Sequence, residues 1–206
     1  MVDPTIASYD SAARHWAGYF RDFTAEEEIW WLINNMHGPK VIDIGCGIGN
    51  HTQYFLDKHL DHVGIDASAG MINEAKKRHP NTNFSVMDFR YLNFPAQSFD
   101  GFIAATSLLH IPKAQLSAAL VNIRQLLRPG GVGFISMKPL GDKGDVEEGI
   151  VKEERFGLRL KRYFAFYTQE EFGQFLQQAG FTLVKSYPKT AGGKTWLCFF
   201  VRQKLS

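Results

Sequence analysis

Two hundred and six residues, 45% of them apolar and 21% charged, suffice for one ordinary domain with a continuous core and exclude a disordered or collagen-like chain. No run free of Asp, Glu, Lys and Arg approaches the ~20 residues of a membrane-spanning helix, and the start MVDPTIASYDSAARHW lacks the basic-then-apolar order of a secretory signal, so a cytoplasmic globular protein is expected. The net charge of +2 falls short of the strongly basic balance that advertises nucleic-acid binding, without excluding it, and two distant cysteines supply neither a disulfide framework nor a paired CxxC zinc site.

In chain order, Thr24 and Glu27 have capping-box spacing and open a helix over 26–36. A short β-branched run over 40–45 reads as a buried strand, 50–60 as a helix and 62–66 as a second strand, a crossover unit that implies parallel pairing. Ser68 can cap a helix over 70–78 that Pro80 ends. Strands follow over 83–88 and 99–105. Leu116, Leu120, Ile123 and Leu127 recur at helical spacing over 114–127, before Pro129-Gly130-Gly131 stops the helix and a strand runs over 132–137.

Residues 139–155, with Gly141, Gly144, Gly149 and mixed charge, read as a long irregular lid that closes on binding. Thr168 and Glu171 form a second capping box for a helix ending near Gly180, and strands over 181–187 and 195–201 make an antiparallel hairpin through Gly192-Gly193. The alternation predicts an α/β fold, a doubly wound, seven-stranded, mostly parallel sheet with an antiparallel C-terminal strand pair. One domain over 1–206 is expected, divided into a helical cap (1–36), a cofactor-binding half (37–138), a lid and acceptor loop (139–167) and a C-terminal helix with the strand pair (168–206). Ligands in such folds bind beyond the carboxyl ends of the strands.

At the end of the first strand Asp43, Gly45, Gly47 and Gly49 spell D-x-G-x-G-x-G, which is neither the dinucleotide G-x-G-x-x-G nor a phosphate-binding P-loop. Together with VGIDASAGM around Asp66, Met87-Asp88-Phe89, the strand from Phe99 and Leu127-Arg128-Pro129-Gly130-Gly131, this segment resembles the class I S-adenosylmethionine-dependent methyltransferases, in particular the bacterial small-molecule type. The resemblance covers 41–138 and implies a Rossmann-like methyltransferase fold, S-adenosylmethionine as cofactor, S-adenosylhomocysteine as product and no metal.

It further implies that the three glycines let the backbone approach the cofactor, where side chains would block it. Asp66, 21 residues past Gly45, would accept from the ribose hydroxyls. Ser68 and Met71 would lie beside the adenine, although Met71 also suits a core position. Asp88 would meet the adenine amine, or else cap the following turn, with Phe89 packing on the ring edge. Ala105 and Asp43 complete the expected cofactor set. Cys46, between glycines and without a basic neighbour in sequence, reads as a packing residue.

On the acceptor side, His110 after the fourth strand is a titratable group suited to removing a proton near neutral pH, or a histidine satisfied by backbone. Tyr9 and Tyr19 resemble the tyrosines of the N-terminal cap in small-molecule methyltransferases, Tyr9 being the better placed; a packing role is the alternative. Arg155, Arg159, Lys161 and Arg162 form a basic run that either binds an anionic acceptor or makes a solvated face offset by Glu147, Glu148, Glu153 and Glu154. The sequence lacks the Asp/Asn-Pro-Pro-aromatic and Pro-Cys motifs of nucleic-acid methylating enzymes, the acidic pair of the arginine methylating type and a metal-holding carboxylate after strand four. The expectation is methyl transfer to an O or N atom of an unidentified small molecule, without membrane or nucleic-acid partners. Two rivals are a non-catalytic cofactor-binding module that regulates a partner protein, and a nicotinamide-dependent oxidoreductase, whose G-x-G-x-x-G glycine spacing is absent.

Overall fold

The computed structural model describes residues 3–19 and 25–204; Thr24 and the Tyr19 side chain lie outside the described residues. The seven-stranded sheet is assembled from β1 (Lys40–Ile44), β2 (Asp61–Asp66), β3 (Asn83–Val86), β4 (Phe99–Ala105), β5 (Leu127–Met137), β9 (Phe181–Ala191) and β10 (Lys194–Gln203). Its order is β3-β2-β1-β4-β5-β10-β9. The pairings β1 with β2, β1 with β4, β2 with β3 and β4 with β5 are parallel, whereas β10 runs antiparallel to both β5 and β9. This is the fold expected from the sequence.

Side chains alternate across this sheet with the strand period. On β4, Phe102 and Ala104 enter one apolar layer while Ile103 and Ala105 enter the other; on β1, Ile42 and Ile44 oppose Val41. Helices α5 (Lys113–Leu126) and α6 (Gln169–Gln178) cover the first face, through Leu116, Leu120, Ile123, Phe172 and Leu176. The other face is covered by α2 (Glu26–Asn35) and α3 (Thr52–Leu56), through Ile29, Leu32 and Phe55. β4 is buried at every position and apolar but for Asp100 near its start, whose carboxylate accepts from the Lys40 amide and from Arg128. The remaining helices, α1 (Pro4–Tyr19) and α4 (Ala69–Arg78), pack together beside the Gly45–Gly49 loop through Ala12, Ala13, Trp16, Ile48 and Met71.

Both anticipated helix caps with described residues form. Ser68 accepts from the Met71 amide, and Thr168 and Glu171 make the reciprocal capping box. Residues 139–155 differ from the expectation of an irregular lid: they contain β6 (Asp142–Asp145) and β7 (Glu148–Arg155), and β7 pairs antiparallel with β8 (Leu158–Ala165). The half-buried positions of β7 are Gly149, Val151, Glu153 and Arg155, while Ile150 points outward, so its alternation carries almost no hydrophobic contrast. Hydroxyls of α1 complete the free edge of β8: Thr5 Oγ1 accepts from the Tyr163 amide at 2.9 Å, and Ser8 Oγ bonds the Lys161 amide and carbonyl, each at 2.9 Å. Among the described residues no helix is long and apolar enough to cross a membrane.

Candidate active site

Strand order reverses between β1 and β4, so the loops that leave them diverge and open a crevice at the carboxyl edge of the sheet. A cavity of about 120 Å³ fills it, walled by the loop after β1, the ends of β2 and β4, the turn after β3, and α1. Gly45, Gly47, Asp66, Ser68, Met71, Asp88, Phe89, Ala105, His110 and Tyr9, ten of the twelve anticipated site residues, line it. Asp43 and Gly49 lie off its wall.

The three glycines act differently. All have positive φ (74°, 54° and 76°), a region that costs an L side chain strain. A Cβ on Gly45 would stand 2.3 Å from Ser107 Cβ, and one on Gly49 would press on Thr52, His79 and Phe84. Those two glycines allow loops to pack. A Cβ on Gly47 would meet open space, so this glycine leaves bare backbone at the cavity wall.

Asp66 ends β2 with its carboxylate already aimed: Oδ2 accepts from the Gly47 amide at 3.0 Å and Oδ1 from the Ser68 amide at 2.8 Å. A carboxylate offers about four lone-pair sites, so two bonds leave capacity for further donors. Burial pushes the Asp66 carboxyl up to about 6, against the pull of those two amides. Asp88 caps the turn after β3, accepting from the Arg90 amide at 2.9 Å, and its carboxylate also holds the Arg90 guanidinium at 2.6–3.0 Å. Capping, the alternative reading of Asp88, is therefore realised, with lone-pair capacity left over. Met71 is 2% exposed and packs with Trp16 and Ile48, so most of its surface belongs to the core. Cys46 is buried, and burial pushes its thiol well above the ordinary range, consistent with an inert packing residue.

Beneath the loop, Asp43 is 1% exposed and neither carboxylate oxygen has a hydrogen-bond partner among the described residues. The His51 Nδ1 stands 3.7 Å away, too far for a hydrogen bond. A cofactor with a cationic amino group and a ribose suits this arrangement: an unsatisfied acidic group beneath the glycine loop, bare backbone at Gly47 and an aimed acceptor at Asp66. His51 was missed in the sequence, since the residues that surround Asp43 are fixed only by the fold.

His110 and Tyr9, separate in the sequence, form one pair. Thr106 takes a left-handed turn (φ 57°) as the chain leaves β4, its amide tied to Ser136, and the short 3₁₀ turn at Leu108–His110 then projects the imidazole. His110 Nδ1 lies 2.7 Å from the Tyr163 carbonyl, which can only accept, so Nδ1 carries the proton. Nε2 therefore accepts from the Tyr9 hydroxyl at 2.8 Å. The Tyr9 oxygen in turn accepts from Arg162 at 2.8 Å, and Arg162 is paired with Glu153. Burial holds His110 down at about 3 and raises Tyr9, the latter opposed by Arg162. Arg162 and Glu153 were not singled out beyond the basic run and its acidic offset, because β8 was not read as a strand.

Tyr9, Thr106 and His110 also line a second, larger cavity of about 610 Å³ on the far side of the pair. The basic run divides here by strand period. Arg155 and Arg162 face this cavity, while Arg159 and Lys161 point to solvent.

A model of the methyltransferase domain family matches residues 41–131. The chain is 31% identical over 166 residues to phosphoethanolamine N-methyltransferase 1 of Arabidopsis thaliana, an alignment covering 77% of this chain and 32% of that protein. It thus spans about a third of the length of the plant enzymes it matches. Among solved structures it is similar to the CcbJ methyltransferase of Streptomyces caelestis (TM-score 0.78, 14% identity, covering 98% of this chain and 100% of that one). It is also similar to a 1,6-didemethyltoxoflavin N1-methyltransferase of Burkholderia thailandensis solved with S-adenosylhomocysteine (TM-score 0.75, 22% identity, 97% and 87% covered). With its motifs placed on the strand ends around one crevice, the chain belongs to the class I S-adenosylmethionine-dependent methyltransferases.

Proposed function

We propose that this protein transfers a methyl group from S-adenosylmethionine to an oxygen or nitrogen atom of a small molecule. The observation that carries the reading is the hydrogen-bonded Tyr9–His110 pair at the junction of the two cavities. Asp66 and the Gly47 backbone are assigned to the cofactor ribose and methionyl portions, and Asp88 and Phe89 to the adenine. Asp43 would balance the cofactor's amino group from below. When bound, the cofactor supplies an electrophilic methyl group for in-line displacement.

The chain's own part is positioning, exclusion of water and removal of one proton. The buried imidazole is neutral at physiological pH, and its Nε2 lone pair faces the Tyr9 hydroxyl. As the acceptor atom gives its proton to Tyr9 Oη, the phenol proton passes to Nε2, and Arg162 stabilises negative charge on the phenol oxygen meanwhile. The burial that keeps His110 neutral also makes it a weak base. The pair therefore suits a proton that turns acidic as the new bond forms, as on a hydroxyl or an aromatic amine.

Phosphoethanolamine and 1,6-didemethyltoxoflavin, named for the relatives above, are nitrogen acceptors and stand as candidates in an assay. Release of S-adenosylhomocysteine across a panel of hydroxyl- and amine-bearing small molecules tests the reading. Acceptor-dependent release is expected, with kcat falling roughly 10²-fold in Tyr9→Phe while cofactor affinity is kept. Absence of release over the panel, or a Tyr9→Phe variant with unchanged kcat, would contradict it.

A further inference from the structure

Among the described residues, three line both cavities: Tyr9, Thr106 and His110. Tyr9 and His110 are bonded to each other and share the proton in the proposed reading. Thr106 has no part in that reading, although it stands at the same junction. It follows β4 directly, and its neighbours Ala105 and Ser107 are buried at 7% and 6% exposure while Thr106 between them is half-buried.

Its backbone is under strain. Four non-glycine residues among those described take a positive φ, His59, Gln97, Thr106 and Phe156, all at 55–57°, and of these only Thr106 is β-branched. A left-handed conformation crowds Cβ against the backbone, and for a β-branched residue it is an outlier. The turn is held from β5: the Thr106 amide donates to the Ser136 carbonyl at 3.2 Å and to Ser136 Oγ at 3.0 Å. Ser136 stands beside the turn because it faces Ala105 in the β4–β5 register. Both bonds go to the Thr106 amide, so they fix the backbone and leave the side chain to the cavities. Strain that its surroundings enforce in this way clusters at functional sites.

Glycine makes such a turn without strain, as Gly45 and Gly47 do on the loop after β1. A turn that carries threonine instead puts a side chain at the junction. Branching at Cβ restricts χ1, so that side chain is a stiff wall rather than a mobile one.

We infer that Thr106 positions the transferable methyl group. With the cofactor in the smaller cavity and the acceptor in the larger, the sulfur–methyl bond that breaks has to point through the junction. Tyr9 and His110 form one side of that opening and take the proton; the branched side chain of Thr106 forms another, against which the methyl group rests. Displacement in line depends steeply on this direction. The inference rests on the proposed methyl-transfer reading and adds a positioning residue to it, one that moves no proton and forms no bond.

The test is an NMR experiment that needs no acceptor, using S-adenosylmethionine with a ¹³C-labelled methyl group bound to wild type, Thr106→Gly and Thr106→Val. In Thr106→Gly the bound methyl resonance should leave its wild-type position while the adenine C2–H and C8–H resonances keep theirs. Thr106→Val, which preserves the branched shape without the hydroxyl, should restore the wild-type methyl position. S-adenosylhomocysteine lacks the methyl group, and its affinity in calorimetry should stay within about twofold of wild type in both variants. Thr106→Gly should also melt about 2 °C higher, because the left-handed turn no longer strains a side chain. A methyl resonance unmoved in Thr106→Gly, one displaced as far in Thr106→Val, or an equal displacement of the adenine resonances would each overturn the inference. So would a Thr106→Gly protein less stable than wild type, which would make Thr106 a structural residue only. Failure of the wild type to bind S-adenosylmethionine would instead overturn the cofactor reading beneath it.

Discussion

His62 is 3% exposed on β2, stacked on Phe55 at 5.2 Å, with no hydrogen-bond partner for either ring nitrogen among the described residues. Burial holds it down at about 4. From pH 6.5 down to about 4 the unfolded chain takes up a proton that the folded imidazole refuses, so stability is full above pH 6.5 and falls as pH drops. Between pH 7 and pH 5 the loss from this residue is about 2 kcal/mol. His110 acts with the same sign, down to about 3, whereas Asp66, raised to about 6, acts oppositely and loses its contribution as pH rises from about 4 to 6. His62→Phe, which keeps the aromatic stack, should therefore remove about 2 kcal/mol of the pH 7-to-5 decline in urea unfolding. An unchanged decline would show that the imidazole already finds a proton acceptor in the folded state. At this scale the sequence was legible where residue type and spacing meet: Asp66, Ser68 and Gly47 stand at the cavity as anticipated. It was illegible where a partner comes from across the fold, as with Tyr9 and His110, 101 residues apart.

Helix α1 joins the two cavities mechanically. Its Thr5 and Ser8 hydroxyls complete the edge of β8, and its Asp10 accepts from Ser68 Oγ at 2.7 Å and from the Gly70 amide at 2.8 Å, tying it to the start of α4. Asp10→Ala leaves that hydroxyl and amide without this acceptor, at a cost of about 1–3 kcal/mol. Because α1 is held on both sides, faster hydrogen exchange is expected in α1 and in β8 together, while β1 and β4 exchange as in the wild type. Faster exchange confined to 68–70 would mean that helix and hairpin are not coupled. The central strands β1 and β4 were legible as short, largely apolar runs buried on both faces, α5 by its regular apolar stripe, and α6 by its capping box and closing Gly180. The β7–β8 hairpin was not, because its inward positions on β7 are Gly, Val, Glu and Arg, so the alternation is one of function rather than of hydrophobicity.

For the molecule as a whole, strand order was beyond the sequence pattern alone, since alternation of strands and helices fits more than one doubly wound order. The motif resemblance named a Rossmann-like methyltransferase fold without an order of strands, and the observed β3-β2-β1-β4-β5-β10-β9 order puts the reversal between β1 and β4, where the glycine loop and His110 line one cavity. Two cavities meet at one Tyr–His pair, and in the proposed reading the cofactor takes the smaller one and the acceptor the larger. The claim on which everything else depends is that the smaller cavity holds S-adenosylmethionine through Asp66. Calorimetric titration of wild type and Asp66→Ala with S-adenosylhomocysteine, with NAD as a control, tests it most directly. Micromolar binding to the wild type, roughly −8 kcal/mol, is expected, abolished in Asp66→Ala and absent for NAD. Equal binding to both proteins, or binding of NAD in place of S-adenosylhomocysteine, would contradict it.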